Sequence, residues 1–304
     1  MRLSVALSLI LLCAGPLLAA PGALEDAFKN LKEAEAKKDP ALVKKLAGET
    51  CTLARQAVAA PAPADEDEKE DWKARVEYAR GVELYTEYAL FSAAIQASPA
   101  VTVELLTALE QQNPKSKYLD GAYGSYLVAL NQMGEASRIP AVAEKALESF
   151  PENEDLLLVL ADTALSAKQS DRALDYAKRL VAALGNHPAP EGMAAGDWEA
   201  KRNAAMGRGY WISGMVRSEG KQLAEADTDL RAALPLIQGN DAMLASALFY
   251  LGVANYDLGT KAKSRARVLE AAKFSEQAGA VKSPFAQQAR TNAQAMRTAA
   301  AKMR

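Results

Sequence analysis

Short breaks between helical segments are the feature of this sequence that most constrains its fold. From Trp72 onward, segments of about 12 to 16 residues with helical periodicity alternate with turns of a few residues. Prolines mark several of the breaks, at Ser98-Pro99, Asn113-Pro114, Phe150-Pro151 and Ser283-Pro284. Because helices of this length joined by short turns lie antiparallel to their neighbours, the chain is predicted to fold as a series of helical pairs.

The composition agrees with an all-α fold. Half of the 304 residues are hydrophobic, but only 6% are aromatic, and alanine is abundant. Alanine has the highest helix propensity and lets the backbones of neighbouring helices come close. Segments with alternating Val, Ile and Thr, which would predict strands, are nearly absent.

A period of about 34 residues relates the helical pairs. In the clearest instance, segment 251–259, the large Leu251 precedes the small Gly252, and Gly259 follows seven positions later. This pattern resembles a tetratricopeptide repeat, which has a large residue at position 7, a small one at position 8 and a turn glycine at position 15. Five segments fit the frame: 82–115, 120–153, 154–187, 207–240 and 245–278.

The resemblance implies a right-handed α-α superhelix, that is, a solenoid of antiparallel helix pairs. In such an array, small residues at positions 8, 20 and 27 lie where helices come closest. The matching residues here are Ala89, Ala108, Ala146, Ala161, Ala173, Gly214, Ala226, Ala233, Gly252 and Ala271.

Residues 1–22 are predicted to be a secretory signal. Arg2 gives it a positive start, an apolar run follows, and small residues end it, with cleavage expected after Ala20 or Gly22. The apolar run is short for a stable membrane span, which needs about 20 residues. Leu12 stands directly before Cys13, which departs from the bacterial lipoprotein pattern and argues against a lipid anchor. We therefore expect an exported protein, periplasmic or secreted.

The remaining boundaries follow from changes in composition. An N-terminal helical hairpin is predicted at 23–60, with Asp39 as a helix cap and Pro40 in the first turn. A proline-rich and acidic linker is predicted at 61–71, followed by the repeat region at 72–278 with an inserted loop at 188–198. The last predicted element is a C-terminal capping helix at 279–304, capped by Ser283.

Charge and chemistry exclude several function classes. With 36 basic and 38 acidic residues, the chain has no electrostatic footprint for nucleic acid. Its single histidine, His187, stands beside a proline as a turn residue would, and after signal cleavage Cys51 is the only cysteine. Neither a metal site, a cofactor site nor a catalytic cluster is predicted, so the chain is not expected to be an enzyme.

In tetratricopeptide arrays, the first helices of the repeats line a groove that binds a protein or peptide. One known mode clamps a terminal carboxylate with Lys and Asn at positions 5 and 9, which this sequence lacks. The resemblance instead assigns a candidate partner-binding patch, with an aromatic and apolar character. Its residues are Leu158, Asp162, Trp211, Met215, Phe249 and Tyr256. The alternative is that these side chains fill the core or lie under the C-terminal helix.

The expected function is therefore that of an exported, non-enzymatic scaffold or adaptor. A structural subunit of a cell-envelope assembly, serving outer-membrane protein insertion, secretion or pilus biogenesis, is the alternative. A third class, an enzyme that acts on peptidoglycan or a regulator of one, requires a catalytic cluster that the sequence does not offer. The sequence predicts neither the identity of the partner nor the oligomeric state.

Overall fold

The structure, a computed structural model, describes residues 22–190 and 193–303. Over these residues the chain forms fourteen α-helices and one 3-10 helix and no strand, which confirms the all-α prediction. Cys13 and all but the last residue of the predicted signal 1–22 lie outside the described residues, as do residues 191–192 of the predicted loop. The chain divides into two compact units between Leu119 and Asp120.

In the first unit, four helices pack in chain order, so that each contacts the next. They are α1 (Ala23–Ala36), α2 (Pro40–Ala59), α3 (Glu66–Ala94) and α4 (Pro99–Gln112). A short helix, α5 (Lys117–Asp120), spans the boundary between the units.

The second unit repeats the same arrangement of successive pairs. Its helices are α6 (Tyr123–Gln132), α7 (Ile139–Leu147), α8 (Glu154–Ser166), α9 (Ser170–Asn186), α10 (Ala195–Glu219), α11 (Leu223–Ala233), α12 (Asp241–Lys261), α13 (Arg265–Ala280) and α14 (Ala286–Lys302). The 3-10 helix Ala136–Arg138 precedes α7. From α8 to α14, each helix packs against the next.

Alanine and glycine occupy the positions where neighbouring helices come closest. Nine of the ten predicted small residues are buried, and Ala108 is half-buried. Gly259 differs from its prediction as a turn residue, because α12 continues to Lys261 and the turn follows at Lys263. A Cβ atom at Gly259 would lie 3.0 Å from the backbone nitrogen of Val268, so this glycine allows α13 to begin close beside α12.

Four turns contain a lysine in the left-handed backbone region. These are Lys38, Lys168, Lys221 and Lys263, with φ angles of 54°, 55°, 61° and 52°. Each follows the end of a helix, and Gly134, with φ 74°, has the same place after α6. The next N–H then bonds back to the helix, as from Gln169 to the Ala164 carbonyl at 2.8 Å. Glycine is the usual residue at this position because it lacks a Cβ atom.

Side chains cap several helix starts. The prediction for Asp39 is confirmed, since its carboxylate accepts a hydrogen bond from Leu42 N–H at 3.0 Å. Asn153, Asn240 and Ser264 cap α8, α12 and α13 in the same way. The prediction for Ser283 is wrong, because α14 begins three residues later and the buried Ser283 hydroxyl has no hydrogen-bond partner among the described residues.

The acidic stretch of the predicted linker 61–71 is helical from Glu66 onward. Asp65 caps the start of α3, and its carboxylate accepts a hydrogen bond from Asp67 N–H at 3.0 Å. Three acidic residues then occupy the first turn of α3. Negative charge near the positive end of the helix dipole favours this start, so the charges that suggest a linker instead extend the helix.

Candidate functional site

Helices α8 and α10 bring together Asp162 and Trp211 from the predicted patch, with Arg208 between them. The Arg208 guanidinium binds Asp162 Oδ1 at 2.7 Å through both Nε and Nη2. Its carbon Cζ lies 4.6 Å from the centroid of the Trp211 ring, in cation–π geometry. Asp162 thus fixes the arginine over the indole, and both charged side chains remain partly exposed to solvent.

Trp211 is held from its other side by α12 and by the core. Its indole Nε1 donates a hydrogen bond to Ser246 Oγ at 3.0 Å. The half-buried ring packs against two buried clusters, one containing Ile212 and Val216 and the other containing Leu251. Trp211 is therefore anchored by Ser246 and by the core, and its ring is only partly exposed to solvent.

Leu158 and Met215 extend this surface by one helical turn on each helix. Leu158 precedes Asp162 by four residues on α8, and Met215 follows Trp211 by four residues on α10, so each lies on the same helix face as its partner. Both are half-buried. We call the five residues Leu158, Asp162, Arg208, Trp211 and Met215 the α8–α10 surface.

The structure does not bring Phe249 and Tyr256 into the α8–α10 surface. Phe249 packs against the connection to α14, with its ring centroid 5.1 Å from that of Phe285. Tyr256 packs against a buried cluster of α13 and α14 that contains Met296. These two predicted residues therefore contact the C-terminal helices, which the sequence left as the alternative to an open groove.

Glycines hold α10 close between its neighbours and so position Arg208 and Trp211. A Cβ atom at Gly209 would lie 2.9 Å from Val181 Cγ2 on α9, and one at Gly214 would lie 2.5 Å from Leu230 Cγ on α11. Real Cβ atoms do not come this close to other side chains, so larger residues would push α10 away from α9 or α11.

A cluster of charges lies at the start of α8, one turn before Leu158. Lys201 Nζ on α10 contacts Glu154 Oε1 at 3.0 Å and Asp155 Oδ2 at 2.9 Å. Burial raises the pKa of Asp155 above its usual value despite this partner. Burial also opposes ionisation of Glu154, but hydrogen bonds from the backbone and from Lys201 outweigh it and lower its pKa. The pKa values of the adjacent carboxyls shift in opposite directions because burial and repulsion from Glu154 and Asp120 act on Asp155, whereas Glu154 also accepts a backbone hydrogen bond.

His187 also belongs to this charged cluster. Its Nδ1 lies 3.5 Å from Glu154 Oε2, and its Nε2 lies 3.7 Å from Glu152 Oε2. The sequence predicts only a turn residue here, and His187 does end α9. Its two glutamate partners are Glu152, in the turn before α8, and Glu154, the first residue of α8, and spacing along the chain does not reveal these contacts.

Arg208 and Lys201 are the site residues that the predicted patch omits. Arg208 stands at position 2 of its repeat, which faces the groove in the tetratricopeptide frame. Its partner Asp162 stands at position 9 of the preceding repeat, so opposite charges at these two positions could have indicated the pair. Lys201 precedes the frame of 207–240 altogether, and no sequence pattern marks it.

Comparison with known proteins gives no family for this chain. No protein-family model matches the sequence, and no curated protein matches it significantly. Within the described ranges 22–190 and 193–303, no three His, Cys, Asp or Glu side chains converge as metal ligands would. In the same ranges, no helix combines the length and the apolar character that crossing a membrane requires.

Proposed function

We propose that this chain is an exported, non-enzymatic scaffold or adaptor of the tetratricopeptide-repeat type, which binds a peptide or partner protein on the α8–α10 surface. Support for the repeat type comes from helices that pack in successive pairs and from small residues buried between them. Support for export comes from the signal-like sequence of residues 1–22.

One observation carries the assignment of the binding surface: the stack of Arg208 on Trp211. Tryptophan and arginine are the residues most enriched among those that dominate binding energy at protein interfaces. Asp162 and Ser246 already hold both side chains in place, so little conformational entropy is lost when a partner contacts them. Leu158 and Met215 add apolar area on either side, and methionine adapts its shape to different partners.

The partner that suits this surface is a helix or extended segment with an apolar face. The Arg208 charge is paired with Asp162, so the surface offers little attraction for a free carboxylate. This agrees with the absence of the family's Lys and Asn clamp residues at positions 5 and 9. Apolar anchors on the partner would contact Trp211 and Met215, and backbone or hydroxyl groups would contact the edge of Arg208.

A peptide library displayed on phage tests the proposal directly. We expect residues 23–304 to select apolar peptides, and the variants Arg208→Ala and Met215→Ala to bind them at least about ten-fold more weakly. Arg208→Ala should unfold at nearly the wild-type temperature, because an exposed ion pair contributes only about 0–1 kcal/mol. Met215→Ala should unfold only slightly below it, because the methionine side chain is half-buried. Lys178→Ala, on α9, is the matched control and should bind normally. Equal binding by all variants would place the binding site elsewhere.

Export is tested by the mature N-terminus. When the full chain is produced in a Gram-negative host, mass spectrometry of the periplasmic fraction should show a start at Pro21 or Ala23. A chain that starts at Met1 and stays in the cytoplasm would contradict export. A lipid-modified Cys13 would instead favour a membrane-anchored subunit of an envelope assembly.

A further inference from the structure

A charged groove between α11 and α13 lies outside the α8–α10 surface. It has a volume of 960 Å³ and is formed by the second helices of two successive pairs, with one residue of α14 at its edge. None of its lining residues belongs to the α8–α10 surface. It therefore concerns a separate site from that of the proposed function.

A polar network fixes two arginines in the wall of this groove. The Asp227 carboxylate accepts hydrogen bonds from Arg231 Nε at 2.8 Å and from Arg267 Nη2 at 3.1 Å. Asn255, which is fully buried on α12, accepts a further bond from Arg267 Nε at 2.9 Å and donates to Asp227 at 2.6 Å. The guanidinium groups are thus oriented before any ligand arrives, which reduces the entropy lost on binding.

The arginines keep unused donors. A guanidinium has five N–H groups, and Arg267 uses only Nε and Nη2 in the bonds it makes within the described residues. Lys273, exposed on the same helix, has no ion-pair partner within the described part of the chain. The donors that remain are therefore available to an anion.

The charges of the groove do not balance. Four cations line it, Arg231, Arg267, Lys273 and Arg297, against the two carboxylates of Asp227 and Glu270. Glu276 pairs with Arg297 from outside the lining, which leaves an excess of one positive charge. A chain whose overall charge is near neutral thus carries a local positive groove with oriented arginines.

Leu269 adds an apolar side chain to the lining of the groove. It is 36% exposed, which makes it one of eight exposed large hydrophobic side chains among the described residues. A small anion would use only the arginines and leave both this side chain and most of the 960 Å³ volume unfilled. A peptide with carboxylates on each side of an apolar residue would use all of these features.

We propose that the α11–α13 groove binds an acidic, extended segment of a partner protein. Carboxylates of the segment bind Arg267 and Lys273, and an apolar side chain packs on Leu269. The proposal does not depend on the proposed function, because none of the residues that line this groove belongs to the α8–α10 surface.

Fluorescence anisotropy with the mature full chain tests the proposal. The probe is a labelled nine-residue peptide with four glutamates around one leucine, and its matched control has glutamine in place of each glutamate. We expect the acidic peptide to bind at least about ten-fold more tightly than the glutamine peptide. Its affinity should fall further when NaCl rises from about 50 to about 300 mM.

Variants locate the binding. Lys273→Glu should weaken binding of the acidic peptide by at least about ten-fold, and Leu269→Ala by about three-fold or more. Lys178→Glu, an equal charge change at an exposed site on α9, and Met215→Ala, on the α8–α10 surface, should each change binding by less than about two-fold.

Several results would overturn the proposal. Equal losses of peptide affinity in Lys178→Glu and Lys273→Glu would show that the overall charge of the protein, and not the groove, attracts the peptide. Equal affinity for the acidic and the glutamine peptide would show that binding does not depend on the carboxylates. Displacement by inorganic phosphate at about 1 mM, together with no effect of Leu269→Ala, would show a site for small anions instead. Failure of the acidic peptide to bind at about 1 mM would show that the groove has no peptide-binding role.

Discussion

Trp211 and Phe249 occupy the same position in two successive repeats of the predicted frame, but they contact different neighbours. Trp211 on α10 is held by polar groups, with its indole on Ser246 and the Arg208 guanidinium over its ring. Phe249 on α12 is held by other rings, those of Tyr250 and Phe285. Both side chains are half-buried.

The difference teaches that a repeat frame fixes the direction of a side chain but not what it meets. The contact comes from an element beyond the next helix along the chain. For Trp211 on α10 this element is α12, which offers Ser246. For Phe249 on α12 it is the connection between α13 and α14, which offers Phe285. Only the first arrangement leaves a charged and partly open surface, so only the four predicted residues on α8 and α10 remain candidates for partner binding.

The largest expected effect comes from removing the two aromatic side chains. Trp211→Ala should lower the free energy of unfolding by about 3 kcal/mol, and Phe249→Ala by about 2 kcal/mol, because both rings pack on buried clusters. Urea denaturation followed by circular dichroism measures both values. If Trp211→Ala lowered the free energy of unfolding by less than about 1 kcal/mol, Trp211 would behave as a surface residue and would not share the packed environment of Phe249. Met215→Ala is the control and should cost less than Trp211→Ala.

The next effect concerns the glycines that set the distance between helices. Gly214→Ala should destabilise the fold by about 2 kcal/mol, because the new methyl group would meet Leu230 on α11. Gly48→Ala, in the exposed middle of α2, should stabilise it by about 0.5–1 kcal/mol, because no atom lies within 4 Å of the added carbon. The same unfolding experiments measure both. If Gly214→Ala were also stabilising, close packing would not be what positions α10.

Much of the fold could be predicted from local signals. Proline breaks and helical periodicity indicate the helices, and Asp39 with Pro40 indicates the start of α2. The small residues predicted between helices are buried because a close approach excludes larger side chains. The predictions for Gly259 and Ser283 are wrong, because the end of α12 and the start of α14 depend on packing against other helices rather than on the residue itself.

The candidate site was only partly predictable. Leu158, Asp162, Trp211 and Met215 follow from the frame, and opposite charges at positions 2 and 9 could have indicated Arg208, whereas no sequence pattern marks Lys201. Phe249 and Tyr256 also stand at groove-facing positions of the repeat frame, but in the structure they lie against α13 and α14. Sequence spacing cannot distinguish an aromatic residue that faces a groove from one that the next helix covers, because both need the same periodicity.

A smaller effect is expected at the turns. Lys168 and Gly134 have the same place after α8 and α6, and both have positive φ. Lys168→Gly should therefore stabilise the fold by about 0.5–1 kcal/mol, because glycine has no Cβ atom to strain this backbone. Gly134→Lys should destabilise it by a similar amount. Thermal unfolding measures both changes. Loss of stability in Lys168→Gly would show that the lysine side chain contributes more than its backbone strain costs.

The smallest effect separates two adjacent carboxyls by their dependence on pH. Burial raises the pKa of Asp155, so the folded state disfavours its ionised form, and the stability it contributes is lost as pH rises through its folded pKa. Hydrogen bonds lower the pKa of Glu154 despite burial, so its contribution is present above its unfolded pKa and is lost as pH falls through its folded pKa.

Asp155→Asn and Glu154→Gln test this contrast in urea denaturation between about pH 3 and about pH 7. As pH rises, wild type should lose stability relative to Asp155→Asn and gain stability relative to Glu154→Gln. Both variants leave Lys201 with one carboxylate, so the comparison is matched. If the two stability differences changed with pH in the same direction, the two carboxyls would titrate as one unit coupled through Lys201. Residues in similar positions would then differ in their contacts at Trp211 and Phe249, but not in their titration at Glu154 and Asp155.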